Sequence, residues 1–135
     1  MKSLLLNIFL ISTLVLLSAG CKKEKNGSSS SSKEGEIKVS VNFKASSNSS
    51  FIYTWGQAEV RLHKDGNLVS TMYASPGSQN LDFGKFNYGK YRIDCFGKMV
   101  STNVNTGKTT TKNISKTKEF TLDSKNKSVD ITMSY

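Results

Sequence analysis

Cys21 and Cys95 are the two thiols of this 135-residue chain, His63 is its one imidazole, and the carboxylates Glu59, Asp82, Asp94, Glu119, Asp123 and Asp130 are scattered singly. Three small residues, Ser18, Ala19 and Gly20, directly precede Cys21. His63 alone is neither a metal cluster nor half of a catalytic pair, and it is expected on the surface. The chain has no Gly-x-Ser-x-Gly elbow, His-Glu-x-x-His helix, phosphate-binding glycine loop or calcium loop. Acid-base chemistry would need carboxylates such as Asp82 and Asp94 to converge in a cleft. No catalytic residue, metal ligand or cofactor is therefore assigned, and the chain is not expected to be an enzyme. One further set has binding potential. Phe51, Tyr53 and Trp55 alternate, and exposed rings in such a row can stack on sugar rings, whereas buried ones belong to a core.

The stretch Leu16-Leu17-Ser18-Ala19-Gly20-Cys21 resembles the lipobox at which bacterial lipoprotein precursors are cut and acylated. Upstream, Lys2 gives a positive start, and residues 4–17 form an apolar run interrupted by Asn7, Ser12 and Thr13. That is the anatomy of a secretory signal. At 14 residues the run is shorter than the roughly 20 that a membrane-spanning helix needs. The resemblance implies cleavage between Gly20 and Cys21, removal of residues 1–20, and lipidation of Cys21, with the membrane as partner through the acylated N-terminus. Lys22 stands where an Asp would mark inner-membrane retention, so the resemblance implies the outer membrane. The alternative is an ordinary secretory signal that leaves Cys21 as a free thiol.

Lipidation consumes the Cys21 sulfur, which leaves Cys95 unpaired outside the cytoplasm. A lone thiol there survives best as a small core hydrophobe. The formal net charge of +9 falls to +8 once Lys2 is removed. In this compartment the excess points to envelope surfaces, with no nucleic acid expected. Residues 98–127 hold seven lysines against Glu119 and Asp123. This basic end is suited either to acidic glycans and lipopolysaccharide phosphates or to a solvated rim, and the rim is the reading we favour. Asn113-Ile114-Ser115 matches a glycosylation sequon, a tripeptide common by chance.

Residues 21–35 contain Lys22, Lys23 and Lys25, then five consecutive serines, and nothing with which to build a core. They read as a disordered, flexible linker spanning about 20 Å. From Glu36 the composition changes. Ile37, Val39, Val41 and Phe43 alternate with polar residues, the period of a half-buried strand. In residues 51–63 two sets conflict. Phe51, Tyr53 and Trp55 fall on odd positions but Ala58, Val60 and Leu62 on even ones, so a regular strand would send them to opposite faces. A bulge or break at Gly56-Gln57 lets all six face inward.

Asp65-Gly66 predicts a hairpin turn, because both positions favour positive φ. Strands follow at 68–73, 81–83 and 86–96, the last placing Tyr91, Ile93 and Cys95 on one face. Separate strands are expected at 98–104 and 109–114, and a closing hairpin joins 118–122 to 128–135. No long segment has helical period. The chain reads as all-β: a single antiparallel β-sandwich of about seven strands over residues 36–135.

The order 58–62, turn, 68–71, 81–83, then Phe86-Asn87-Tyr88-Gly89-Lys90-Tyr91-Arg92-Ile93 resembles transthyretin-like sandwiches. These include carboxypeptidase regulatory-like domains and Cna-B-like repeats of bacterial surface proteins. Gly89, Tyr91 and Ile93 carry the match, although Asn87-Tyr88 replaces the usual Leu-Pro. The resemblance covers roughly residues 37–97 and implies a non-catalytic module. The expected function is that of a lipid-anchored cell-envelope protein with an accessory, structural or interaction domain. The alternative is an envelope glycan- or polymer-binding lipoprotein that uses Phe51, Tyr53 and Trp55.

Overall fold

The computed structural model describes residues 32–77 and 79–135. Gly20, Cys21 and most of the 21–35 linker lie outside them. The described chain contains eight strands and no helix: β1 (Glu34–Lys44), β2 (Phe51–Trp55), β3 (Ala58–Lys64), β4 (Asn67–Ala74), β5 (Gln79–Asn87), β6 (Gly89–Asn103), β7 (Thr109–Leu122) and β8 (Asn126–Ser134). They form two sheets packed face to face. One is β5-β1-β8; the other is built around β6, with β2, β3 and β7 paired to it and β4 paired to β3. We call these the small and the large sheet.

β7 pairs with β6 along almost its whole length, from Gly89↔Leu122 to Thr102↔Thr109. β2 and β3 therefore share the other edge of β6, end to end. β2 holds Phe51↔Asn103 to Trp55↔Met99, and β3 holds Glu59↔Phe96 to Lys64↔Tyr91. Between Trp55↔Met99 and Glu59↔Phe96, three residues on the β2–β3 side face two on β6. The extra residue is the bulge expected at Gly56-Gln57, with the Gly56 N–H donating to the Lys98 carbonyl at 2.8 Å. It turns both alternating sets inward.

The core is made of the inward positions of both sheets. Ile37, Val39 and Val41 of β1 and Val129, Ile131 and Met133 of β8 meet Ala58, Val60 and Leu62 of β3 and Tyr91, Ile93 and Cys95 of β6. Full burial of each large aliphatic side chain stabilises the fold by roughly 1.5–3 kcal/mol. Cys95 is fully buried, as its shared face with Tyr91 and Ile93 requires. Asp65 (φ 50°) and Gly66 (φ 82°) form the two-residue turn between β3 and β4.

Two features differ from the expectations, and a third refines one of them. All pairings are antiparallel except β1 with β8, which is parallel from Glu36↔Asn126 to Lys44↔Ser134. Strands β6 and β7 are long and unbroken, so 89–103 is one strand and 109–122 another, while 86–87 belong to β5. Gly97 does not end β6. A Cβ there would stand 3.0 Å from Met133 Cε and 3.8 Å from Trp55 Cζ3, so the glycine gives the opposite sheet room to approach. Finally, three of the lysines expected on a basic rim share the inward parity of β7, Lys112, Lys116 and Lys118, opposite Met99, Cys95 and Ile93, and all three are exposed to solvent at this edge of the sheet. Lys118 Nζ reaches the Asp130 carbonyl of β8 at 2.9 Å, and Lys112 Nζ sits 4.6 Å from the Tyr135 ring centre. Inward lysines on an edge strand discourage pairing with another chain.

Candidate binding face

The solvent side of the large sheet is a grid set by strand register. One row across it reads Tyr73 (β4), Glu59 (β3), Phe96 (β6), Ser115 (β7); the next reads Thr71, Arg61, Asp94, Thr117. His63, Arg92 and Glu119 continue the pattern in a third row. These residues are here because Ala58, Val60, Leu62 and Tyr91, Ile93, Cys95 take the opposite parity into the core.

Asp94 anchors the centre of the grid. It is 9% exposed, accepts from Thr117 Oγ1 at 2.8 Å and from Arg92 Nε at 3.1 Å, and lies 3.0 Å from Arg92 Nη2. His63 Nε2 is 3.2 Å from the same carboxylate, yet it is off the line of a hydrogen bond, and neither ring nitrogen has a hydrogen-bond partner or contact with solvent. The expectation of an exposed His63 is corrected: its side chain is only 14% exposed, because Arg92 and Asp94 of β6 flank it on the sheet.

Glu59 binds Arg61 through two hydrogen bonds, 2.8 and 3.1 Å. The first of these holds its carboxyl below the usual value, so it stays ionised and acts as an acceptor. Arg61 in turn lies 4.9 Å from the centre of the Phe96 ring. Phe96 (41% exposed) and Tyr73 (55% exposed) are therefore rings standing in solvent on a rigid sheet. Beside them a groove of about 590 Å³ is lined by Gln57, Glu59, Lys98 and Asn113 as well as the two rings. A second depression of about 390 Å³, near the Asp65-Gly66 turn, is lined by His63, Lys90, Arg92 and Glu119.

Phe51, Tyr53 and Trp55 are on the inward side of β2, half-buried at one end of the sandwich. Trp55 meets Phe43 edge-on at 5.4 Å, Phe51 stacks on Tyr53 at 6.2 Å, and Tyr53 tilts against Tyr135 at 5.5 Å. Trp55 Nε1 is buried without a hydrogen-bond partner. Asp82 lies on β5 in the small sheet and Asp94 on the outer face of the large one, so the two do not converge. Among the described residues no group of three His, Cys, Asp or Glu side chains is placed to hold a metal ion. Sequence reasoning missed Tyr73, Phe96 and the Asp94 network. The usable signal was parity, since Phe96 falls opposite the face of Tyr91, Ile93 and Cys95.

The fold and this face define a two-sheet β-sandwich with a polar, aromatic-flanked outer surface. No protein-family model, curated protein or solved structure matches the chain.

Proposed function

We propose that this chain is a lipid-anchored cell-envelope protein whose β-sandwich serves as a non-catalytic interaction module. The observation that carries the module reading is the outer face of the large sheet. Its side chains are fixed in register, its one buried carboxylate is engaged by Arg92, Thr117 and His63, and it presents two exposed rings beside a groove. Such a surface suits recognition. The half-buried packing of Phe51, Tyr53 and Trp55 favours a structural role for that set. The Leu16-to-Cys21 stretch supports the anchor, and Lys22 favours the outer membrane. The transthyretin-like resemblance agrees with Gly89 opening β6 and with Tyr91 and Ile93 entering the core.

Expressed in a bacterium that acylates lipoproteins, Cys21→Ala is expected to accumulate as uncut precursor without fatty-acid label. Normally processed, labelled mature protein in that variant would sink the anchor.

A further inference from the structure

We propose that the groove beside Tyr73 and Phe96 binds a neutral polysaccharide chain running across the strands of the large sheet. The proposal rests on the interaction-module reading and adds the ligand class and the residues.

Tyr73 and Phe96 occupy one cross-strand row with Glu59 between them, so the rings stand two strand spacings apart, about 10 Å. The groove opens on the side where the Gly56-Gln57 bulge brings Gln57 beside Lys98 and Asn113. Arg61 lies 4.9 Å from the centre of the Phe96 ring, held there by Glu59. The ring is thereby set in place before any ligand arrives, which lowers the ordering cost of binding. An aromatic face carries partial negative charge and attracts the polarised C–H groups of an apolar partner surface. Around the rings, the side chains of Gln57, Lys98, Asn113 and Ser115 have no partner within the described protein. Two amides, an ammonium and a hydroxyl offer donors and acceptors together.

The charges decide against an ionic ligand. Glu59 is matched by Arg61, which leaves Lys98 as the one unmatched charge lining the groove. A single ammonium sets up no field strong enough to select a polyanion. What fits is a molecule with apolar C–H faces, many hydroxyls and no net charge, extended enough to touch both rings. A neutral pyranose polymer meets all four conditions.

The test uses the full-length acylated protein in detergent micelles on an array of neutral and acidic oligosaccharides, with Trp55 fluorescence as the check of folding. Binding to members of the neutral set is expected, weakened about tenfold by Tyr73→Ala or Phe96→Ala. Phe96→Trp, which keeps a ring at the site, retains binding, as does Tyr53→Ala. No binding to neutral sugars, binding to acidic sugars alone, or neutral binding that survives both alanine variants overturns the groove. The two readings fail separately. Neutral binding lost in Tyr53→Ala but kept in Tyr73→Ala and Phe96→Ala overturns the groove while the module stands, and the anchor is judged by Cys21→Ala alone.

Discussion

Raising the pH puts a charge into the centre of this sandwich at one atom. Cys95 Sγ sits in β6, between Val60 of β3 and Lys116 of β7 in register, and the residue has no solvent exposure. Burial pushes its thiol up from an ordinary 9.0 to about 11. In the unfolded chain the thiolate forms at the lower value, so the folded state binds the proton more tightly. The thiol's contribution to stability is therefore fully present below pH 9 and is lost as pH rises through the folded value. The two values translate to about 2 kcal/mol lost by pH 11 and about 3 kcal/mol in the limit. Urea unfolding of the full chain and of Cys95→Ala, followed by Trp55 fluorescence at pH 7, 9, 10 and 11, isolates this effect. Lysines and tyrosines titrate in both proteins and cancel in the difference. At pH 7 the alanine variant is less stable by about 1 kcal/mol, for the lost sulfur volume. The gap closes above pH 9 and reverses by pH 11. A gap that stays constant across the range would refute the burial argument.

Two further substitutions probe the sheets. Asp94→Ala removes the acceptor shared by Thr117 and Arg92, and is expected to cost about 1.5–3 kcal/mol in urea unfolding, with Asp94→Asn intermediate; a loss under about 0.5 kcal/mol would show that the network is dispensable. Gly97→Val drives a branched side chain toward Met133 and Trp55 and is expected to lower stability by about 1–3 kcal/mol and to shift the Trp55 emission, whereas unchanged stability and emission would contradict the close approach of the sheets.

How far the fold was readable depends on how far apart the deciding residues are in sequence. β1 and β8 were visible because each carries its own alternation, Ile37-Val39-Val41 and Val129-Ile131-Met133, and needs no partner to reveal it. The Asp65-Gly66 turn was local too. The Gly56-Gln57 bulge was deducible from the clash of two parities within 13 residues. The continuity of β6 through Gly97 was not, because its reason is Met133 on the other sheet. Nor was that of β7, where threonines and lysines offer no apolar period and the strand exists by pairing with β6. The outer face failed for a related cause. His63 and Asp94 are 31 positions apart in sequence and meet only through register. Exposure of an aromatic such as Phe96 follows from which parity wins the core, a competition settled by all neighbouring strands together.

The parallel pairing of β1 with β8 sets the order in which the domain is completed. Val39 and Val129 are neighbours in the sheet yet 90 residues apart in the chain. β1 is the middle strand of the small sheet, and until residues 126–134 arrive it has only β5 beside it. Closing so long a loop is an entropic cost that is repaid only at the end, which makes this step slow. Strand β8 therefore acts as a clasp. A growing chain carries a small sheet with an open side until residues 126–134 have been made and can reach β1.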